Sequence, residues 1–100
     1  MDIRFLMRQA QAMQDQLKAA QQAVRAEGTS GGELVKVTLN GAKELLALSI
    51  AKEAMDPEDP SMLEDLLMAA FKDANAKADA EMAQRTAGFG GGLNLPGLKL

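Results

Sequence analysis

The sequence predicts an α+β fold in which two helices flank a β-hairpin. Three observations predict it. A heptad of apolar residues runs from Ile3 to Val24, apolar and polar residues alternate from Val35 to Leu39 and again from Leu46 to Ile50, and a second apolar stripe at helical spacing runs from Leu63 to Ala78. One hundred residues with 47% hydrophobic and 25% charged content fit one small globular domain of ordinary composition.

The first helix is expected from Asp2 to about Arg25. Ile3, Leu6, Ala10, Met13, Leu17, Ala20 and Val24 step alternately by three and four, the pattern of a coiled-coil seam, among Gln, Ala, Met and Leu residues that favour helix. No Gly or Pro interrupts the chain before Gly28. A helix of this length, apolar along nearly all of one side, exceeds what so short a chain can bury by itself. The seam therefore predicts packing against a second copy through Leu6, Met13 and Leu17; cover of the chain's own sheet is the alternative.

After the glycines at 28, 31 and 32 the period switches. Val35, Val37 and Leu39 interleave with Lys36, Thr38 and Asn40 as a half-buried strand does, and Leu46, Leu48 and Ile50 repeat the pattern. Between them Asn40-Gly41 predicts a tight hairpin turn with positive φ at both residues. Two strands alone are rarely stable, and the candidate for a third lies around Val24 to Thr29, overlapping the end of the first helix.

Residues 51 to 61, with Asp56-Pro57 and Asp59-Pro60, read as a loop that ends in a helix start. Asp59 can cap that helix with Pro60 in its first turn, or Ser61 can cap it with Glu64 closing a capping box. Leu63, Leu66, Leu67, Ala70, Ala74 and Ala78, with Phe71 at the edge, form a stripe that should cover the apolar face of the hairpin, the helix reaching about Arg85. We divide the chain into one domain, residues 1–87, and a glycine- and leucine-rich tail, residues 88–100, whose glycines lack the strand and the Gly-Lys-Ser/Thr of a phosphate-binding loop.

The chain has no Cys, His, Trp or Tyr, which removes thiol and imidazole catalysis, disulfides, and zinc or haem sites built on those ligands. No set of mutually placed groups suggests an enzyme, and no cofactor, metal or small-molecule substrate is expected. No apolar run is long enough to span a membrane, and the N-terminus lacks the apolar core of a signal peptide, so a cytoplasmic protein is expected.

Eleven basic and fourteen acidic residues give a net charge of −3. Six of the acids (Glu53, Asp56, Glu58, Asp59, Glu64 and Asp65) fall within residues 53–65, where there is no base, so the remainder carries eleven bases and eight acids. On the first helix Arg4, Gln11, Lys18 and Arg25 share one heptad position, and Arg8, Asp15 and Gln22 share the adjoining one, about 150° from the seam. Four bases and one acid on an outward strip suit a nucleic-acid backbone, which arginine grips with a bidentate fork; a solvated helix face is the alternative. With Phe5, Phe71 and Phe89 the sole aromatics, and no base-reading motif, contact with duplex backbone is expected rather than stacking on single strands.

Four blocks in this order, FLMRQAQAMQDQL (Phe5 to Leu17), GGELVKVTLNGAKEL (Gly31 to Leu45), SMLEDLLMAAFKDANAKA (Ser61 to Ala78) and LNLPGLKL (Leu93 to Leu100), resemble the YbaB/EbfC family of small bacterial nucleoid-associated proteins over essentially the whole chain. The resemblance implies an α-β-β-β-α chain with a three-stranded antiparallel sheet, its first strand near Val24 to Ser30, and a tight homodimer from which the long N-terminal helices project. It also implies a nucleoid location, binding of duplex DNA with altered DNA shape, and roles in nucleoid organisation and gene expression. Carried onto this chain, DNA contacts fall to Arg4, Arg8 and Lys18, with Lys72, Lys77 and Arg85 on the last helix as further candidates; the outward strip adds Arg25. Leu46 and Leu48 join Leu6, Met13 and Leu17 as candidate dimer contacts. Leu45, Leu46 and Ala47 on the last strand, and the acidic loop at 53–59, depart from the family's pattern in ways that would weaken DNA affinity or enlarge the dimer interface at the expense of phosphate contacts. The rival reading is a dimeric scaffold whose leucine-bearing tail and Leu45-Leu46 segment dock on a protein partner such as replication or recombination machinery.

Overall fold

The computed structural model describes residues 2–87. Their order is α1 (Ile3–Ala23), β1 (Ala26–Ser30), β2 (Val35–Leu39), β3 (Leu45–Ile50), a 3-10 turn (Lys52–Ala54) and α2 (Pro60–Ala87). The tail set apart in the sequence, residues 88–100, lies outside the described residues.

α1 begins where Asp2 accepts a hydrogen bond from the Arg4 backbone N–H at 3.0 Å and ends as Val24 turns extended. None of its residues is buried by the described chain, and only Ala20 and Gln21 are half-buried. The helix is rooted at this end alone. Val24, just past it, packs with Ala26, Ala78 and Met82, and the Gly41 N–H donates to the Gln21 carbonyl at 2.8 Å. The rest of α1 projects, in a molecule that extends 67 Å along its longest axis and 25 Å along the next.

The three strands form one antiparallel sheet in the order β1-β2-β3. β2 is central, and its alternation is the one the sequence predicts: Val35, Val37 and Leu39 are buried, while Lys36 and Thr38 are half-buried. β1 begins two residues later than the candidate strand, because Val24 and Arg25 close the preceding helix. Gly31, Gly32 and Glu33, all at positive φ, make the β1–β2 turn.

The β2–β3 connection differs from the expected two-residue turn. Neither Asn40 nor Gly41 has positive φ; Lys43 does, at 67°. The buried Asn40 side chain accepts from the Ala42 and Glu44 N–H groups at 2.9 and 3.0 Å and donates to the Glu44 carboxylate at 2.7 Å, organising a loop of five residues. Gly41 serves close approach instead, since a Cβ there would press on Met82 and on the Gln21 backbone. A bulge follows: Thr38 faces Ala47 but Leu39 faces Leu45, so Leu46 is the extra residue. Leu45, not Leu46, therefore lies opposite Leu39, and Leu48 and Ile50 oppose Val37 and Val35.

α2 starts at Pro60, and of the two possible caps Asp59 is the one used: its carboxylate accepts from the Met62 N–H at 3.3 Å and from the Ser61 hydroxyl at 2.8 Å. Asp56 likewise accepts from the Glu58 N–H at 2.9 Å. The helix lies against β1 and β2 rather than over the whole hairpin. Its fully buried residues are Ala70, Ala74 and Ala78, spaced by four, and opposite them β1 carries Gly28, where a Cβ would fall 2.7 Å from that of Ala74 and closer still to the α2 backbone. Small residues on both sides let helix and strand approach closely. Val35, Val37, Leu39 and Ala54 complete the core, with Leu34, Ile50, Leu63, Leu66, Leu67 and Phe71 packed around it. Beyond this reach β3 is bare ahead of Ile50: Leu45, Leu46 and Leu48 are all 44–48% exposed.

The two outer strands are treated differently. β1's outward backbone groups are taken by α2: the Thr29 N–H donates to the Asp73 carboxylate at 3.0 Å, and the Glu27 carbonyl accepts from the Lys77 ammonium at 3.1 Å. Asp73 and Lys77, one turn apart and paired at 3.1 Å, thereby occupy the groups that an added strand would use. The Thr29 N–H, followed by the Lys77 ammonium, holds the Asp73 carboxyl below its usual range.

Two outcomes follow for stability. Gly28→Ala should lower the unfolding free energy by about 1–3 kcal/mol, read as a lower urea midpoint, because the added methyl forces α2 off β1. Asp73→Asn should also lower the midpoint at pH 7. Because the folded-state pKa is depressed, the stabilisation is present above the ordinary carboxylate range and lost as pH falls through the lowered value. The midpoints of Asp73→Asn and the unaltered protein should therefore converge in acid, below the ordinary carboxylate range.

Candidate nucleic-acid interface

Each candidate cation is either held by the chain or left without an acceptor, and this separates the sequence-predicted set into two groups. Arg4, Arg8 and Lys18 lie on the projecting part of α1, and their side chains meet no carboxylate or carbonyl among the described residues. The one acid on their strip, Asp15, accepts a hydrogen bond from the Gln11 amide at 3.0 Å, one turn away. Lys72, exposed on α2, is also without an acceptor among the described residues.

The other three are occupied. Arg25 is not on the strip at all: α1 ends at Ala23, and the Arg25 guanidinium turns back to donate to the Gln22 and Val24 carbonyls at 2.6 and 2.8 Å. Its heptad position no longer has meaning once the backbone is extended. Lys77 spans Asp73 and the Glu27 carbonyl. Arg85 makes two hydrogen bonds to Glu81, at 3.0 and 3.1 Å. An Asp or Glu four residues before Lys77 and Arg85 is the sequence signal that marks both as paired.

Lys52 is a cation the sequence reading did not single out; it is exposed beside Glu53 in the 3-10 turn, with no acceptor among the described residues. The acidic segment lies toward the start of α2, whereas α1 is rooted against Met82, 22 residues further along that helix and so about 33 Å away. That separation exceeds the roughly 10 Å screening length at 0.1 M salt, so the root of α1 and the acidic loop are electrostatically distinct.

The candidate dimer residues Leu6, Met13, Leu17, Leu46 and Leu48 are all 41–48% exposed in the single chain. They form two bare apolar surfaces, one along α1 and one on β3. Among the described residues, no group of three carboxylates stands close enough to hold a metal ion, and no helix is long and apolar enough to cross a membrane.

Comparison with known proteins bears on this arrangement. Residues 1–93 match the model of the YbaB/EbfC DNA-binding family. A nucleoid-associated protein of Paramagnetospirillum magneticum is 51% identical over 99 residues, covering 95% of this chain and 92% of its own length. One from Caldanaerobacter subterraneus is 41% identical over 100 residues, covering 97% and 90%. The crystal structure of an uncharacterized protein from Helicobacter pylori shares the fold, with a TM-score of 0.69 at 24% identity over 89% of this chain and 97% of that one. The helix, the three-stranded antiparallel sheet, the second helix and the matched sequence lead to one assignment: this chain belongs to the YbaB/EbfC DNA-binding family.

Proposed function

We propose that the protein acts as a homodimer that binds duplex DNA through the phosphate backbone, with little preference for sequence, and so alters DNA conformation in the nucleoid. Nucleoid organisation, DNA protection and regulation of gene expression follow from that activity. The observation that carries the reading is the set of three cations, Arg4, Arg8 and Lys18, on a helix that the described chain does not cover. An unpaired guanidinium on a projecting helix is available to a phosphate without first breaking an ion pair. Lys72 adds a weaker contact, and Arg25, Lys77 and Arg85 serve the fold.

The dimer rests on the second observation. Leu6, Met13 and Leu17 along α1, and Leu46 and Leu48 on β3, are apolar side chains for which the chain has no cover of its own, and a second copy supplies it without exposing new surface. Two copies present the basic strip twice, which raises affinity for a polyanion through effective concentration.

Fluorescence anisotropy of a labelled 30-base-pair duplex, titrated at several salt concentrations against an unrelated competitor duplex, tests the reading. Six phosphate contacts, three from each copy, give a slope of log affinity against log salt of about −5, a loss of about a thousandfold between 50 and 200 mM. The competitor should displace the label as well as the parent sequence does. Arg4→Glu, Arg8→Glu and Lys18→Glu together should abolish binding with the oligomeric state unchanged, since none lies on the apolar seam. Absence of binding at low salt, or a flat salt response, would overturn the reading and favour a protein-docking scaffold.

A further inference from the structure

The free end of α1 carries more than its cations. With Ile3 at the first heptad position, the helix turns through about 100° per residue, so that Met7 lies about 60° to one side of Arg4 and Phe5 about 60° to the other side of Arg8. The two basic side chains are bracketed by two large apolar ones. Phe5 is 51% exposed and Met7 66%. Neither is at a seam position: Met7 is displaced from the seam's centre by about 70° to one side and Phe5 by about 130° to the other.

This bracketing is confined to the tip. One and two heptads further along, Ala12 and Ala19 replace Phe5, and Gln14 and Gln21 replace Met7. A helix that gripped only phosphates would need no large apolar group beside its cations, and a seam between two copies would need none as far round as Phe5. What a duplex offers to an apolar side chain next to a phosphate contact is the stacked face of a base step.

We propose that Phe5 and Met7 act as wedges that enter a base step and unstack it, while Arg4 and Arg8 hold the flanking phosphates. The inference rests on the DNA-binding reading above and specifies how the bound duplex is deformed. The kink arises at the tip of α1. Its occurrence depends on how easily a step opens rather than on base identity, so sequence preference stays low and deformability is read instead.

The experiment compares the full chain with the double variant Phe5→Ser and Met7→Ser, both surface changes with retained helix checked by circular dichroism. A duplex of about 30 base pairs carries a donor and an acceptor dye at its ends, in matched form and with a central mismatch that weakens one step. The unaltered protein should shorten the end-to-end distance and should bind the mismatched duplex roughly tenfold more tightly. The variant should keep the slope of affinity against salt, because Arg4, Arg8 and Lys18 remain, yet lose both the shortening and the preference for the mismatch. A variant that binds DNA and still bends it to the same degree would overturn the wedge alone. Failure of the unaltered protein to bind the duplex would overturn the parent reading as well. Binding to vesicles of anionic phospholipid that exceeds binding to DNA, and that Phe5→Ser and Met7→Ser abolish, would overturn it in favour of a lipid surface.

Discussion

The close approach of α2 to β1 is the constraint from which the rest of the architecture follows. Gly28 faces Ala70 and Ala74 with no room for a Cβ, and this contact fixes α2 over β1 and β2. One helix covers about two strands, so a third strand placed on the far side of β2 has no cover. β3 consequently shows its leucines, while the largest side chains that the fold buries completely are valines. The same helix secures the β1 edge with Asp73 and Lys77, and it anchors α1 through Met82 and Ala78. A single element thus builds the core, closes one edge of the sheet and leaves two apolar surfaces bare.

Charge is distributed by the same geometry. Cations that lie beside α2's own carboxylates, or at a helix end with open carbonyls, are consumed by them: Lys77 by Asp73, Arg85 by Glu81, Lys43 by Asp79 and Arg25 by the end of α1. Surface pairs of this kind add little to stability, and a partner has to exchange them before it can use these cations. The cations on α1 escape because the helix projects from the body, and the acid among them is engaged by Gln11. A net charge of −3 is therefore compatible with a basic end, since the surplus acid is gathered in residues 53–65.

Much of this was legible in the residues, for definable reasons. The heptad of α1, the alternation of β2 and the stripe of α2 each repeat over enough residues to declare their period, and Asp59-Pro60 carries its own cap chemistry. β1 was harder to read because Ala26, Glu27 and Gly28 have weak strand propensity, and Gly28 is there for packing against α2. The Asn40-Gly41 pair misleads because the local signal for a tight turn competes with two long-range contacts, Gln21 and Met82, that no local pattern shows. The bulge at Leu46 follows from that longer loop. Among the cations, Arg4, Arg8 and Lys18 were legible as an outward strip. Arg25 was not, because the helix ends two residues before it, and the pairing of Lys77 and Arg85 shows in the sequence only when the carboxylate four residues upstream is weighed with the charge.

The proposed dimer joins these observations: the surface that α2 leaves uncovered is the surface that a second copy would fill, and the strips it would bring together are those with free cations. Sedimentation equilibrium of the full chain without DNA, over a range of micromolar concentrations, addresses that claim directly. The account predicts a particle of twice the 10.6 kDa chain mass, dissociating when Leu46 and Leu48 are both changed to Asp. A monomer throughout that range, with the leucine surfaces in water, would contradict it.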